Sequence, residues 1–102
     1  MCFTEKENEQ FRSFVRFVES HKKSKFQMVF NVDYKGLFKA GTLVEGTYGG
    51  GCDSDNCLDE DDPNYEEYYM VMFDIINPKC LIEVNYHHMP AEFWCDGVKV
   101  DF

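Results

Sequence analysis

The sequence predicts an α+β fold: one N-terminal helix packed on one face of a five- or six-stranded antiparallel meander sheet, closed by a C-terminal β-hairpin. Three observations carry that expectation. Apolar residues recur at helical spacing near the N-terminus, the period changes to two from Lys25 onward, and an Asp-Gly pair divides two short apolar runs near the C-terminus. With 102 residues, the chain suits a single domain over 1–102.

The helix is expected over about 5–23. Thr4 followed by Glu7 forms a capping box, and Lys22 and Lys23 suit the negative end of the helix dipole. Phe11, Phe14, Val15 and Val18 make one apolar stripe, with Phe17 at its margin. Phe26, Met28, Phe30, Val32 and Tyr34 then alternate with other residues and predict a strand over 25–34. Tyr34-Lys35-Gly36 reads as a turn, and a second strand follows over 37–48 with an irregularity at Ala40-Gly41. Gly49-Gly50-Gly51 and the acids after it predict an exposed, mobile acidic loop over 49–64. Further strands are expected over 65–76, 80–87, 92–95 and 98–102, with turns at Asn77-Pro78 and Asp96-Gly97.

One helix covers one face of such a sheet and leaves the other to be explained. In the third strand Tyr69, Val71, Phe73 and Ile75 form one row, and Tyr68, Met70, Met72 and Ile76 form a second, interrupted only by Asp74. A strand apolar on both faces is usually covered on both. Either the C-terminal hairpin folds over the second row, or the row is a patch for a homodimer or another partner.

The charge is lopsided. The net value is −9, made of about +2 over residues 1–50 and −11 over residues 51–102. Such a field repels phosphate backbones, which argues against direct nucleic-acid binding, and attracts basic proteins. No signal-peptide pattern, membrane-spanning run or lipidation motif is recognised, and five irregularly spaced cysteines read as reduced thiols; both predict a cytoplasmic protein without membrane contact.

No catalytic constellation is complete. His87, His88 and Cys95 lack a nucleophile motif and an assignable orienting group, so no enzyme activity is expected. Asp53-Ser54-Asp55 opens like a calcium loop, but Leu58 and Asn64 stand where an EF-hand needs Gly and Glu. Gly49-Gly50-Gly51 lacks the Lys-Ser/Thr and helix of a phosphate loop. No cofactor is implied. Cys52 and Cys57 have a spacing at the edge of what zinc sites use, and a metal-binding or thiol-redox protein built on them is the alternative function.

A short acidic α+β chain with an exposed acidic loop is similar in general composition to small inhibitor and immunity proteins that block basic enzymes. The leading expectation is therefore a binding protein that docks to a basic protein surface, such as a nucleic-acid-processing enzyme or toxin. Asp53, Asp55, Asp59, Glu60, Asp61, Asp62, Glu66 and Glu67 would steer and ring the contact, with Tyr65, Tyr68 and Trp94 as aromatic anchors.

Overall fold

The computed structural model describes residues 9–34 and 36–102. The capping box at Thr4 and Glu7, the first helical turn expected from residue 5, and Lys35 of the first turn lie outside the described residues. Helix α1 spans Glu9–Ser20 and buries Phe11, Phe14, Val15 and Val18, the stripe the sequence spaces for it. It ends before Lys22: the Ser20 hydroxyl bonds back to the Arg16 carbonyl, and the chain turns through His21 and Ser24.

Six strands follow: β1 Phe26–Val29, β2 Leu43–Asp55, β3 Glu67–Ile75, β4 Cys80–Val84, β5 Glu92–Cys95 and β6 Val98–Lys99. All neighbouring pairs are antiparallel and the spatial order is β4-β3-β2-β1-β5-β6. The fold is thus one helix on a six-stranded antiparallel sheet, an α+β arrangement. The meander holds for β1 to β4 only. After β4 the chain crosses back and lays the β5–β6 hairpin against the free side of β1, where Phe93 and Cys95 extend the apolar face under the helix.

The core lies between α1 and that face. Phe11 and Phe14 meet Phe26, Met28, Val71, Phe73, Ile82, Val84 and Phe93, all essentially inaccessible. Phe14 sits with its ring 5.2 Å from Phe93 and 6.1 Å from Phe73. Phe102 closes the open end of the core, 5.2 Å from Phe14, and its carbonyl accepts a 3.0 Å bond from Gln10 Nε2. β6 therefore ends at Lys99, one further bond runs from the Val100 N–H to the Phe93 carbonyl, and Phe102 caps the core instead of prolonging the strand as expected. The hairpin turn has φ of 50° at Asp96 and 85° at Gly97, the left-handed pair that an Asp-Gly turn supplies.

Three strand expectations are corrected. The first strand stops at Val29 rather than 34: the chain bends after Phe30, and Tyr34 returns to pair with Phe38. Phe30, Tyr34 and Phe38 then form an aromatic cluster of their own, with centroids 4.8–6.1 Å apart, so an alternation that reads as strand is a small folded lobe. The second strand begins at Leu43, not 37, and its irregularity lies between Tyr48 and Gly50 rather than at Ala40-Gly41. The fourth strand ends at Val84, short of 87.

The largest correction concerns the three glycines. They do not open a loop: Gly49, Gly50 and Gly51 belong to β2, and the loop proper is 56–66. Their missing side chains are what the strand needs. A Cβ on Gly51 would run into the Tyr69 hydroxyl, and one on Gly50, whose φ is +130°, would press on the Met72 methyl at 3.3 Å.

Candidate partner-binding surface

β2 and β3 outlast their neighbours. β1 pairs β2 only from Leu43 to Gly46, and β4 pairs β3 only from Val71 to Ile75. Beyond those limits residues 52–55 and 67–70 pair only with each other among the described strands, as a two-stranded arm tipped by loop 56–66. The arm is held to the helix at its base. Glu19 Oε2 accepts from the Tyr69 hydroxyl at 2.7 Å and the Tyr48 hydroxyl at 3.2 Å. Burial, followed by the bond to Glu19, pushes the Tyr69 pKa well above the ordinary phenol value.

The loop is exposed, but it is built on its own hydrogen bonds. Asn56 Nδ2 donates to the Asn64 carbonyl at 2.8 Å, and Asp62 Oδ1 accepts from the Asn64 N–H at 2.8 Å. Asp55 Oδ1 accepts from the Cys57 N–H at 2.8 Å, a closure that Cys57 permits with φ of 64°. Asn and Asp side chains that cap backbone groups in this way replace ladder bonds in a tight loop.

The expected site residues fall into four groups. Asp53, Asp59, Glu60, Asp61 and Glu67 are exposed on the arm and its tip. Asp55, Asp62 and Glu66 are partly buried and tied into the local bonding: Glu66 accepts from the Tyr86 hydroxyl and lies 3.2 Å from His87 Nε2. Tyr65 and Tyr68 flank them. The Tyr65 hydroxyl donates to Glu67 Oε1 at 2.8 Å, and that bond pushes its pKa up to about 12. The Tyr68 hydroxyl donates to the Asp55 carbonyl at 3.0 Å.

Trp94 stands apart. It lies on β5, opposite Gln27 and Lys99, with the Lys99 ammonium 5.9 Å from its ring. Two strands, β2 and β1, lie between it and the strand of Tyr68, and the register adds roughly 25 Å along the strands. The structure therefore brings the acids and the two tyrosines together and leaves Trp94 elsewhere on the same face.

The acids keep their field. Among the described residues the ion pairs are Arg16–Glu9, Lys25–Glu45, His87–Glu66 and Lys99–Glu92. No Lys or Arg among them reaches Asp53, Asp55, Asp59, Glu60, Asp61, Asp62 or Glu67, so the lysines after α1 do not neutralise the arm. Cys52 and Cys57 are free thiols, and no three His, Cys, Asp or Glu among the described residues converge to hold a metal ion.

Among the described residues no helix or strand covers the second sheet face. Because the hairpin joins the sheet edge beside β1, it does not fold over Tyr68, Met70 and Met72, which stay half-buried without a layer above them among the described residues. Ile76 falls outside β3, in the turn, and is about half exposed, as is Leu81 of β4. Met70, Met72 and Leu81 thus continue the Tyr68 surface. The two-sided pattern of β3 is the signal that finds them.

The structure thus carries an acidic two-stranded arm on a helix-backed antiparallel sheet. Residues 10–90 match the model of the family described as cognate immunity protein YxxD, and the chain belongs to that family. This makes it an immunity, inhibitor-type protein, which acts by binding a partner protein. No curated protein and no solved structure matches it. No helix among the described residues is long and apolar enough to cross a membrane.

Proposed function

We propose that this protein docks to a basic surface of its cognate toxin, the toxin being a nucleic-acid-processing enzyme, and blocks the site that it covers. It does so as a cytoplasmic binding protein, without catalysis of its own. The observation that carries the reading is the set of carboxylates Asp53, Asp55, Asp59, Glu60, Asp61, Asp62 and Glu67, which no Lys or Arg among the described residues meets in an ion pair, in a member of an immunity family. Exposed like charges in one place raise the encounter rate with an oppositely charged partner and resist self-association. Tyr65 and Tyr68, held at the base of the loop, supply rigid aromatic area beside the acids.

The test begins with capture of the partner from the native host at low salt and its release at high salt. The association rate of that protein is then measured with wild type and with a variant in which Asp59, Glu60, Asp61 and Asp62 become Asn or Gln. Slower association by about tenfold at low ionic strength, with a flattened salt dependence, is expected. Equal rates at every salt concentration would remove the loop from the docking step.

A further inference from the structure

Below the arm β2 lies between two strands; along the arm it has a neighbour on one side only. The hydrogen bonds that flank the paired segment fix which way its peptide groups point. Ile76 N–H donates to the Glu45 carbonyl, and Asn56 N–H donates to the Glu66 carbonyl. In an antiparallel ladder the direction alternates residue by residue. Above the irregularity at Tyr48/Gly50, therefore, Gly50, Cys52 and Ser54 face β3, and Gly51, Asp53 and Asp55 face away from it. These groups point away from β3, and among the described residues no turn, loop or side-chain hydrogen bond engages the N–H or C=O of Gly51 or Asp53, while Asp55 engages its carbonyl with the Tyr68 hydroxyl. Gly51, Cys52 and Asp53 are exposed.

A free strand edge of this kind is a template for another strand, and proteins usually guard it with Lys or Pro. Residues 48–55, Tyr-Gly-Gly-Gly-Cys-Asp-Ser-Asp, contain neither. Their guards are the bulge and two carboxylates. Asp53 and Asp55 project from the same face of β2, two residues apart. A second copy adding at this edge would set those carboxylates against their own duplicates, and like charges across a strand pair destabilise it. A strand with Lys or Arg at alternate positions meets the opposite situation: its cations stand beside Asp53 and Asp55, and the exposed Asp59, Glu60 and Asp61 lie just past the end of the edge.

We infer that the outer edge of β2, at Gly51, Asp53 and Asp55, receives an extended basic segment of the cognate partner as an added antiparallel or parallel strand. The inference rests on the inhibitor reading for the identity of the partner, and on the ladder geometry alone for the place. Main-chain bonds supply the attachment and the alternate carboxylates select the charge.

The probe is an octapeptide alternating lysine and valine, with its glutamate–valine counterpart as control, titrated into the full chain and followed by amide NMR. With the lysine peptide, the amides of Gly51, Asp53 and Asp55 are expected to shift and to exchange about tenfold more slowly, and with the glutamate peptide they are not. Shifts confined to Asp59, Glu60 and Asp61, or none, overturn the inference. So does protection of the same amides in the free protein accompanied by dimerisation in sedimentation, because the occupant is then a second copy.

With the captured partner, Asp53→Pro is compared with Asp53→Asn. Proline removes an N–H that β3 does not use, whereas asparagine removes only the charge. Asp53→Pro is expected to bind about a hundredfold more weakly than Asp53→Asn, with thermal unfolding reporting that both are folded. Equal affinities overturn the edge and leave the inhibitor reading standing. If no basic partner is captured by any variant, the inhibitor reading fails and the peptide titration alone decides the edge. Should Asp53→Pro not fold, amide protection in the wild-type complex decides instead.

Discussion

β2 and β3 are each two different strands end to end. In their basal half they lie within the sheet, with β1 on one side, β4 on the other and α1 above; in their distal half they pair only with each other and end in acids. Val44, Phe73 and Ile75 are buried below, while Gly51, Asp53 and Glu67 are exposed above. Apart from the irregularity at Tyr48/Gly50, the same antiparallel ladder runs through both, so the main difference is not one of strand conformation. It lies in what the side chains meet: phenyl rings in one half, water and each other's charge in the other. Stability resides in the basal half, which leaves the arm free to be composed for an encounter.

The comparison breaks most visibly at the core. Phe14→Ala removes a side chain of zero exposure that touches Phe11, Phe73, Phe93 and Phe102, and should cost about 3–5 kcal/mol in urea unfolding. Binding to the partner should fail with the fold. A substitution of equal size in the arm, Tyr65→Ala, should leave the urea midpoint nearly unchanged, within about 0.5 kcal/mol as for surface positions.

The joint between the halves comes next. Gly51 leaves room for the Tyr69 hydroxyl to reach Glu19 at 2.7 Å, and any Cβ there collides with that hydroxyl. Gly51→Val should destabilise by about 1–3 kcal/mol through forced displacement of Tyr69. Tyr69→Phe, which keeps the ring and loses the bond to a carboxylate, should cost about 1–2 kcal/mol. If Gly51→Val in a Tyr69→Phe background costs much less than in wild type, the collision is the cause; a double-mutant cycle in urea measures it.

Sequence reasoning reaches the two halves unequally, for the same physical reason. The helix stripe and the buried row of β3 are legible because water forces apolar residues into the period of the element that buries them. Asp96-Gly97 is legible because the turn demands positive φ at both positions. Gly49-Gly50-Gly51 is misread because glycine signals chain freedom in a sequence, whereas here it signals closeness of Tyr69 and Met72 across the ladder. Nothing local tells that β5 returns to β1, since strand order depends on which edge offers an uncovered apolar row. The acids of the candidate site are visible as composition, but the open β2 edge beside them is not, because edges are a property of pairing.

A smaller effect distinguishes carboxylates that hold structure from those that project outward. Asp96 Oδ1 accepts from the Lys25 backbone N–H at 2.9 Å, and that bond, first among its causes, holds the Asp96 pKa below the ordinary carboxylate value. A folded-state pKa lowered in this way adds stability that is present above the unfolded pKa of about 3.9 and is lost as pH falls through the folded value. Asp96→Asn suits the same positive φ of 50° and removes only the titrating charge. Its stability should fall below wild type at neutral pH and converge with it as pH falls through the folded-state pKa and the wild-type group protonates. Urea midpoints measured from pH 7 downward would show that convergence. A gap that stays constant to the lowest pH would mean that the ionised carboxylate does not fasten the β5–β6 turn to the start of β1, and that the contrast with the arm lies in packing alone.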